Sequence, residues 1–232
     1  MSEQAPPSSS DGLGEREREG TVELLGAIAY GTISGFTRMA ADSEMARDLR
    51  LKRALAGMAV KEFTNHELIS ERIVQLGEDP VAAMAPFEDA FESYHARTRP
   101  RNLLEGMVKA YIGDGIANDF FVEIARYVDP ETRALVERAV GADEQDAFVK
   151  QVLAEAIAQD PRLGSRLALW GRRLVGEALS QAQRVAASHD ALTALLVDDG
   201  SGVGADLAEL TRMFERLTTN HSERMQALGL TA

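Results

Sequence analysis

Apolar residues recur at spacings of three and four along four long stretches of this chain, which places them on one face of a helix in each case. Leu25, Ile28, Thr32, Phe36 and Met39 form the first stripe. Leu51, Leu55, Met58, Glu62, Asn65, Ile69 and Ile73 form the second, and Leu104, Met107, Tyr111, Asp114, Asn118, Phe121 and Ala125 the third. The fourth holds Leu163, Leu167, Trp170, Leu174, Glu177, Gln181 and Val185. Each stripe is apolar at both ends and polar at its centre, so four such helices can meet at one polar level inside a bundle. No stretch alternates as a strand would, and the predicted fold class is all-α.

Punctuation between the stripes sets the expected boundaries. Residues 1–20, rich in Ser, Pro, Glu and Gly, carry too little apolar surface to offset the entropy of ordering and are expected to be a disordered tail. The first helix is predicted from Thr21 and the second from an N-cap at Ser43, closing at Gly77 and Pro80. Val81 to Arg99 reads as a crossover holding a short helix. The third helix is predicted from Asn102 to Tyr127 despite Gly106, Gly113 and Gly115, which cost about 1 kcal/mol each against alanine and so imply close packing. Shorter helices follow Asp129-Pro130, and Asp160-Pro161 opens the fourth bundle helix, expected to reach Ser188. The domain is expected over 21–197. Residues 198–232 add a loop, Asp198-Asp199-Gly200-Ser201-Gly202, and a C-terminal amphipathic helix carrying Leu207, Leu210, Phe214 and Leu217, packed outside the bundle or across a dimer interface.

With 232 residues, 45% of them hydrophobic, the chain can fill one large helical domain. The absence of cysteine excludes disulfides, thiolate metal sites and cysteine nucleophiles, and fits a cytoplasmic location. No apolar run approaches the roughly 18 residues of a membrane span, so no membrane partner is expected. A net charge of -12 opposes nonspecific nucleic-acid binding. Local charge differs: Arg97, Arg99 and Arg101 lie close together, and Arg162, Arg166, Arg172, Arg173 and Arg184 dominate the fourth helix, a basic patch open to a protein or tRNA partner or to ordinary salt bridges.

The candidate chemistry lies in the polar level. A lone buried carboxylate is costly, so Glu62, Asp114 and Glu177 at one level call for pairing, protonation or a metal. Thr32, Asn65, Asn118 and Gln181 complete the layer. His66 is adjacent to the second stripe but about 100° round the helix, facing outward. Glu92-Ser93-Tyr94-His95 spells Glu-x-x-His in the crossover, where a surface or capping histidine is expected; His189 and His221 are expected to be exposed.

The segments LLEGMVKAYIGDGIANDFF and LALWGRRLVGEALSQAQRVA, with AYGTISGF and KEFTNHELI before them, resemble ferritin-like proteins of the actinobacterial type. That group is similar to the di-iron hydroxylase acting on methylthio-isopentenyl-adenosine in tRNA. The resemblance covers about residues 21 to 197 and implies a ferritin-like four-helix bundle with a crossover, and a homodimer.

Di-iron sites of this fold take a Glu from each of two helices and Glu-x-x-His from each of the other two. Here Thr32 stands for the first Glu, Asn65 follows Glu62 where His belongs, Asp114 is a shorter carboxylate, and Glu177 is followed by Ser180 and Gln181. Three carboxylates without imidazole hold two irons poorly. Three states of the layer follow: a metal-free hydrogen-bonded layer, one hard cation such as Mg²⁺, Mn²⁺ or Ca²⁺, or a working di-iron centre. The function expected is a noncatalytic or binding role at a degenerate metal site, with a metal-dependent oxidoreductase hydroxylating a modified tRNA base or another organic substrate as the alternative.

Overall fold

The computed structural model describes residues 9–46, 48–141, 144–197 and 207–231. The described chain is helical, with no strand. Helix α1 spans Ser9–Glu44, α2 Leu49–Gln75, α3 Pro80–Met84 and α4 Glu88–Arg97. A third long helix runs as α5 (Leu103–Val108), a π-helical turn (Lys109–Asp114) and α6 (Gly115–Ile124). Then come α7 (Pro130–Val140), α8 (Glu144–Gln159), α9 (Pro161–Ser188), α10 (Asp190–Leu196) and α11 (Leu207–Ala227).

Local chemistry explains most of the boundaries. Asp79-Pro80, Asp129-Pro130 and Asp160-Pro161 each begin a helix: the aspartate accepts hydrogen bonds from backbone amides of the first turn, and proline sits where an amide would have no partner. Gly77 ends the turn after α2 with φ +83, a conformation that favours glycine. Two expected starts move. α1 begins at Ser9 rather than Thr21, so the described part of the expected tail is helical. Ser43 does not cap α2: α1 continues past it, its hydroxyl donates to Ala40 O, and Asp48 caps α2 instead. Residues 198–202, the expected loop, lie outside the described residues.

α1 and α2 form the most extensive helix pair, and the third long helix and α9 pack together beside them. The crossover is not an external strap. α4 lies between α1 and α9: His95 meets Ser34 on α1 at 2.9 Å, and Arg173 on α9 donates to Arg97 O at 2.7 Å. Just before α4, Phe87 stacks on His189 with ring centroids 4.4 Å apart, so His189 is buried and not exposed as expected.

The buried apolar residues form two clusters. One holds Leu24, Leu25, Ile28, Ile69, Ile73 and Phe87, the other Met58, Met107, Ile112, Leu167, Leu174 and Met225. Each fully buried side chain of this size stabilises by about 1.5–3 kcal/mol. The polar centres of the stripes fall between the clusters. α11 covers the third long helix through Met213, Leu217 and Met225, while Phe214 stays half-exposed, edge-on to Phe120. Among the described residues no helix is long and apolar enough to cross a membrane.

Candidate functional site

Glu62, Asp114 and Asn118 line one cavity of about 290 Å³, between α2 and the third long helix. Tyr111, Lys61, Asp119, Glu123 and Asn220 add polar groups, and Arg224 of α11 closes one side. Met39, Met58, Val122, Val140 and Val149 supply an apolar wall.

The other members of the expected layer are used elsewhere. Thr32 donates its hydroxyl to Ile28 O and Ala29 O of its own helix. Asn65 gives its amide to Ala139 O, at the C-terminal end of α7, at 2.7 Å. Gln181 is buried with its Nε2 unpartnered. Glu177 does not line the cavity; its carboxylate lies 3.8 Å from Arg97 and acts electrostatically on Tyr94. The structure therefore brings Glu62, Asp114 and Asn118 together and leaves Thr32, Asn65, Gln181 and Glu177 outside their cavity.

Two histidines correct the sequence reading. His66 does not face outward: its Nδ1 lies 2.9 Å from Ala29 O, against α1. His95 is not a surface or capping residue: Nε2 meets Ser34 Oγ, Nδ1 is buried without a partner, and burial drives the imidazole well below its ordinary pKa. His221, expected to be exposed, is half-buried on α11 with its Nδ1 enclosed and unpartnered.

Three further groups that the stripes did not single out, Tyr94, Lys109 and Asp42, join Asp114 in the polar interior. The Tyr94 ring is buried with its hydroxyl unpartnered, and burial raises its pKa, with Asp114 and Glu177 adding to the rise. Lys109 is 7% exposed and donates to Thr98 O at 3.0 Å, with its ammonium 5.1 Å from the Tyr94 ring centre. Asp42 lies against Gly106. Asp114 borders the cavity and is partly buried, and burial pushes its carboxyl up to about 7 against the pull of Lys109. Burial also brings Lys109 down to about 8, opposed by Asp114.

The three glycines of the third long helix mark this packing. A β-carbon at Gly106 would lie 2.6 Å from Asp42 Oδ2, one at Gly115 2.6 Å from Arg224 Nε, and one at Gly113 would collide with the Tyr94 hydroxyl. The glycine signal was legible in the sequence; the identity of the groups approaching was not.

α11 is fastened over the site by ion pairs. Arg224 binds Asp119 through both oxygens at 2.8 and 2.6 Å, and Arg216 binds Glu123 at 2.8 and 2.7 Å. Bidentate guanidinium–carboxylate pairs are the stronger and more directional kind. Several of the noted arginines are engaged: Arg166 with Asp160, Arg172 with Thr231 O and Arg173 with Arg97 O.

A dinuclear metal centre does not fit these residues. Thr32 and Asn65 spend their polar groups on backbone carbonyls, and Glu177 lies outside the cavity that Glu62 and Asp114 share. Among the described residues no three His, Asp or Glu side chains converge as a metal ion requires.

No curated protein matches the chain in sequence. The model of the ferritin-like domain of actinomycetes matches residues 15–199, which takes in most of α1 and all of α2 through α10 and leaves out α11. Match, helical content and bundle agree: the chain belongs to the ferritin-like domain family of actinomycetes.

Proposed function

We propose that this chain is a metal-independent, noncatalytic member of its family that binds a small organic cation in the cavity lined by Glu62, Asp114 and Asn118. The observation that carries the reading is the cavity's wall. Its acidic side chains, Glu62, Asp114, Asp119 and Glu123, outnumber the basic ones, Lys61 and Arg224; Asp119 is paired with Arg224 and Glu123 with Arg216 from outside the wall. Methionine and valine supply the apolar part of the wall. An amine on an apolar body complements both.

A thermal-shift titration with butylamine and phenethylamine at pH 7.5 tests the proposal. Both amines should raise the melting temperature, and the rise should vanish in Asp114→Asn. Equal shifts in the parent and the variant would remove the cavity from the reading.

The second reading, a di-iron hydroxylase acting on a modified tRNA base, is favoured by Glu62 and Asp114 facing one cavity. It would draw on Arg97, Arg99 and Arg101 for phosphate contacts. Elemental analysis after anaerobic ferrous loading separates the two: about two irons per chain would put the oxidoreductase first. We further propose a homodimer, supported by Val60 and Phe63, exposed apolar residues one turn apart on α2. Light scattering on the eluted protein reads its mass directly.

A further inference from the structure

We infer, resting on the amine-binding reading and deepening it, that Arg224 of α11 is the specificity-determining residue of the cavity and restricts it to amines with a single positive charge.

α11 delivers this side chain by its own periodicity. Met213, Leu217, Asn220 and Arg224 are spaced by four, three and four residues and so share one face of the helix. That face is apolar and buried at Met213 and Leu217, and polar where Asn220 and Arg224 join the cavity wall. Two glycines on other helices give its end a seat. A β-carbon at Gly115 would lie 2.6 Å from Arg224 Nε, and one at Gly171 would lie 2.8 Å from Sδ of Met225, which is fully buried. The guanidinium is therefore positioned by the packing of its stem as well as by charge.

The pairing decides what charge the cavity offers to a ligand. Arg224 holds both oxygens of Asp119, at 2.8 and 2.6 Å, and Arg216 holds both of Glu123, at 2.8 and 2.7 Å. With side chains 20% and 15% exposed, the Arg224–Asp119 pair is poorly screened by salt and does not readily exchange for a ligand's ammonium. Two of the wall's carboxylates are thus committed to α11. The two that α11 does not take are Glu62 and Asp114, and Lys61 on the same wall balances one of their charges. What remains is a single negative charge, the complement of one ammonium. A second ammonium on the same ligand would meet the guanidinium of Arg224, and repulsion of this kind is how a site rejects a near relative of its ligand. The methionine and valine side chains of the wall cannot solvate that second charge either.

Isothermal titration calorimetry of the full chain at pH 7.5 tests this with butylamine and 1,4-diaminobutane, which differ by one ammonium. The parent should bind butylamine about tenfold more tightly than the diamine. Arg224→Met keeps an unbranched stem over Gly115 and removes the charge, so it should bind the diamine about tenfold more tightly than the parent does. Adding Asp119→Asn to Arg224→Met removes the carboxylate just released, and the diamine should return to the weak binding of the parent. Equal affinity of the parent for the two amines, a diamine affinity that Arg224→Met leaves unchanged, or a gain that persists in the double variant would each overturn the inference while leaving the amine-binding reading intact. Binding of neither amine by the parent would overturn both. If Arg224→Met fails to fold alone, 1,4-diaminobutane should restore its folding and butylamine should not; any other pattern overturns the inference.

Discussion

The hydroxyl of Tyr94 lies in the space that a β-carbon on Gly113 would occupy. Tyr94 comes from the crossover and Gly113 from the π-turn of the third long helix, so this one contact joins the segment that enters the bundle to the helix it enters against. Gly113→Ala should destabilise the fold by about 1–3 kcal/mol, the usual cost of overpacking a tight interior. Equilibrium urea unfolding measures it, and Tyr94→Phe in the Gly113→Ala background should recover part of the loss by removing the clashing oxygen.

Asn65 serves the C-terminal end of α7. Replacing it with Ala leaves the buried Ala139 carbonyl without its 2.7 Å donor. A cost of about 1–3 kcal/mol is expected. Asn65→His, which writes Glu-x-x-His into α2, should lose similar stability and gain no iron on anaerobic loading, since its ring would enter a site directed at a carbonyl.

Arg224 and Asp119 tie α11 to the third long helix through two short, partly buried hydrogen bonds. Arg224→Ala should cost about 1.5–3 kcal/mol, because it strands Asp119 beside the cavity. Hydrogen exchange should show the loss concentrated in α11. An unchanged exchange pattern there would mean the apolar contacts of Met213, Leu217 and Met225 hold the helix alone.

Asp114 and Lys109 give the stability a dependence on pH with two opposite limbs. Burial raises Asp114 from 3.8 to about 7. Between those values the folded chain keeps a proton that the unfolded chain has released, so stability falls as pH rises, by up to roughly 4 kcal/mol. Burial lowers Lys109 from 10.5 to about 8. Above about 8 the folded chain has released a proton that the unfolded chain keeps, so stability from this group rises with pH. Urea midpoints from pH 4 to 9 should dip between 7 and 8 in the parent, and Asp114→Asn should abolish the falling limb.

How far the site could be read from the sequence differs by residue. Glu62, Asp114 and Asn118 share a cavity, and the stripes pointed to all three. Tyr94 and His95 were noted as part of a Glu-x-x-His string but expected at the surface, because a ten-residue helix in a crossover carries too short a pattern to show which neighbours it will meet. Lys109 was hidden by helical phase: it falls off the stripe of Asp114, and its partners, Thr98 O and the Tyr94 ring, come from the crossover. Thr32, Asn65 and Gln181 were correctly read as buried polar residues, but burial alone does not say which partner satisfies them.

By itself the sequence determined the helices and most of their limits, α9 from the cap at Asp160 to Ser188 among them, because apolar periodicity, aspartate caps and proline act within a few residues. It also determined that the bundle would be polar at mid-height. Only the tertiary structure decided that α4 inserts between α1 and α9, that Lys109 is buried against Thr98 O of the crossover, and that Asn65 and Thr32 answer to backbone carbonyls. Those outcomes depend on groups dozens of residues apart competing for the same buried space, and the competition is settled by packing, charge and hydrogen-bond satisfaction across helices, none of which is expressed in local spacing.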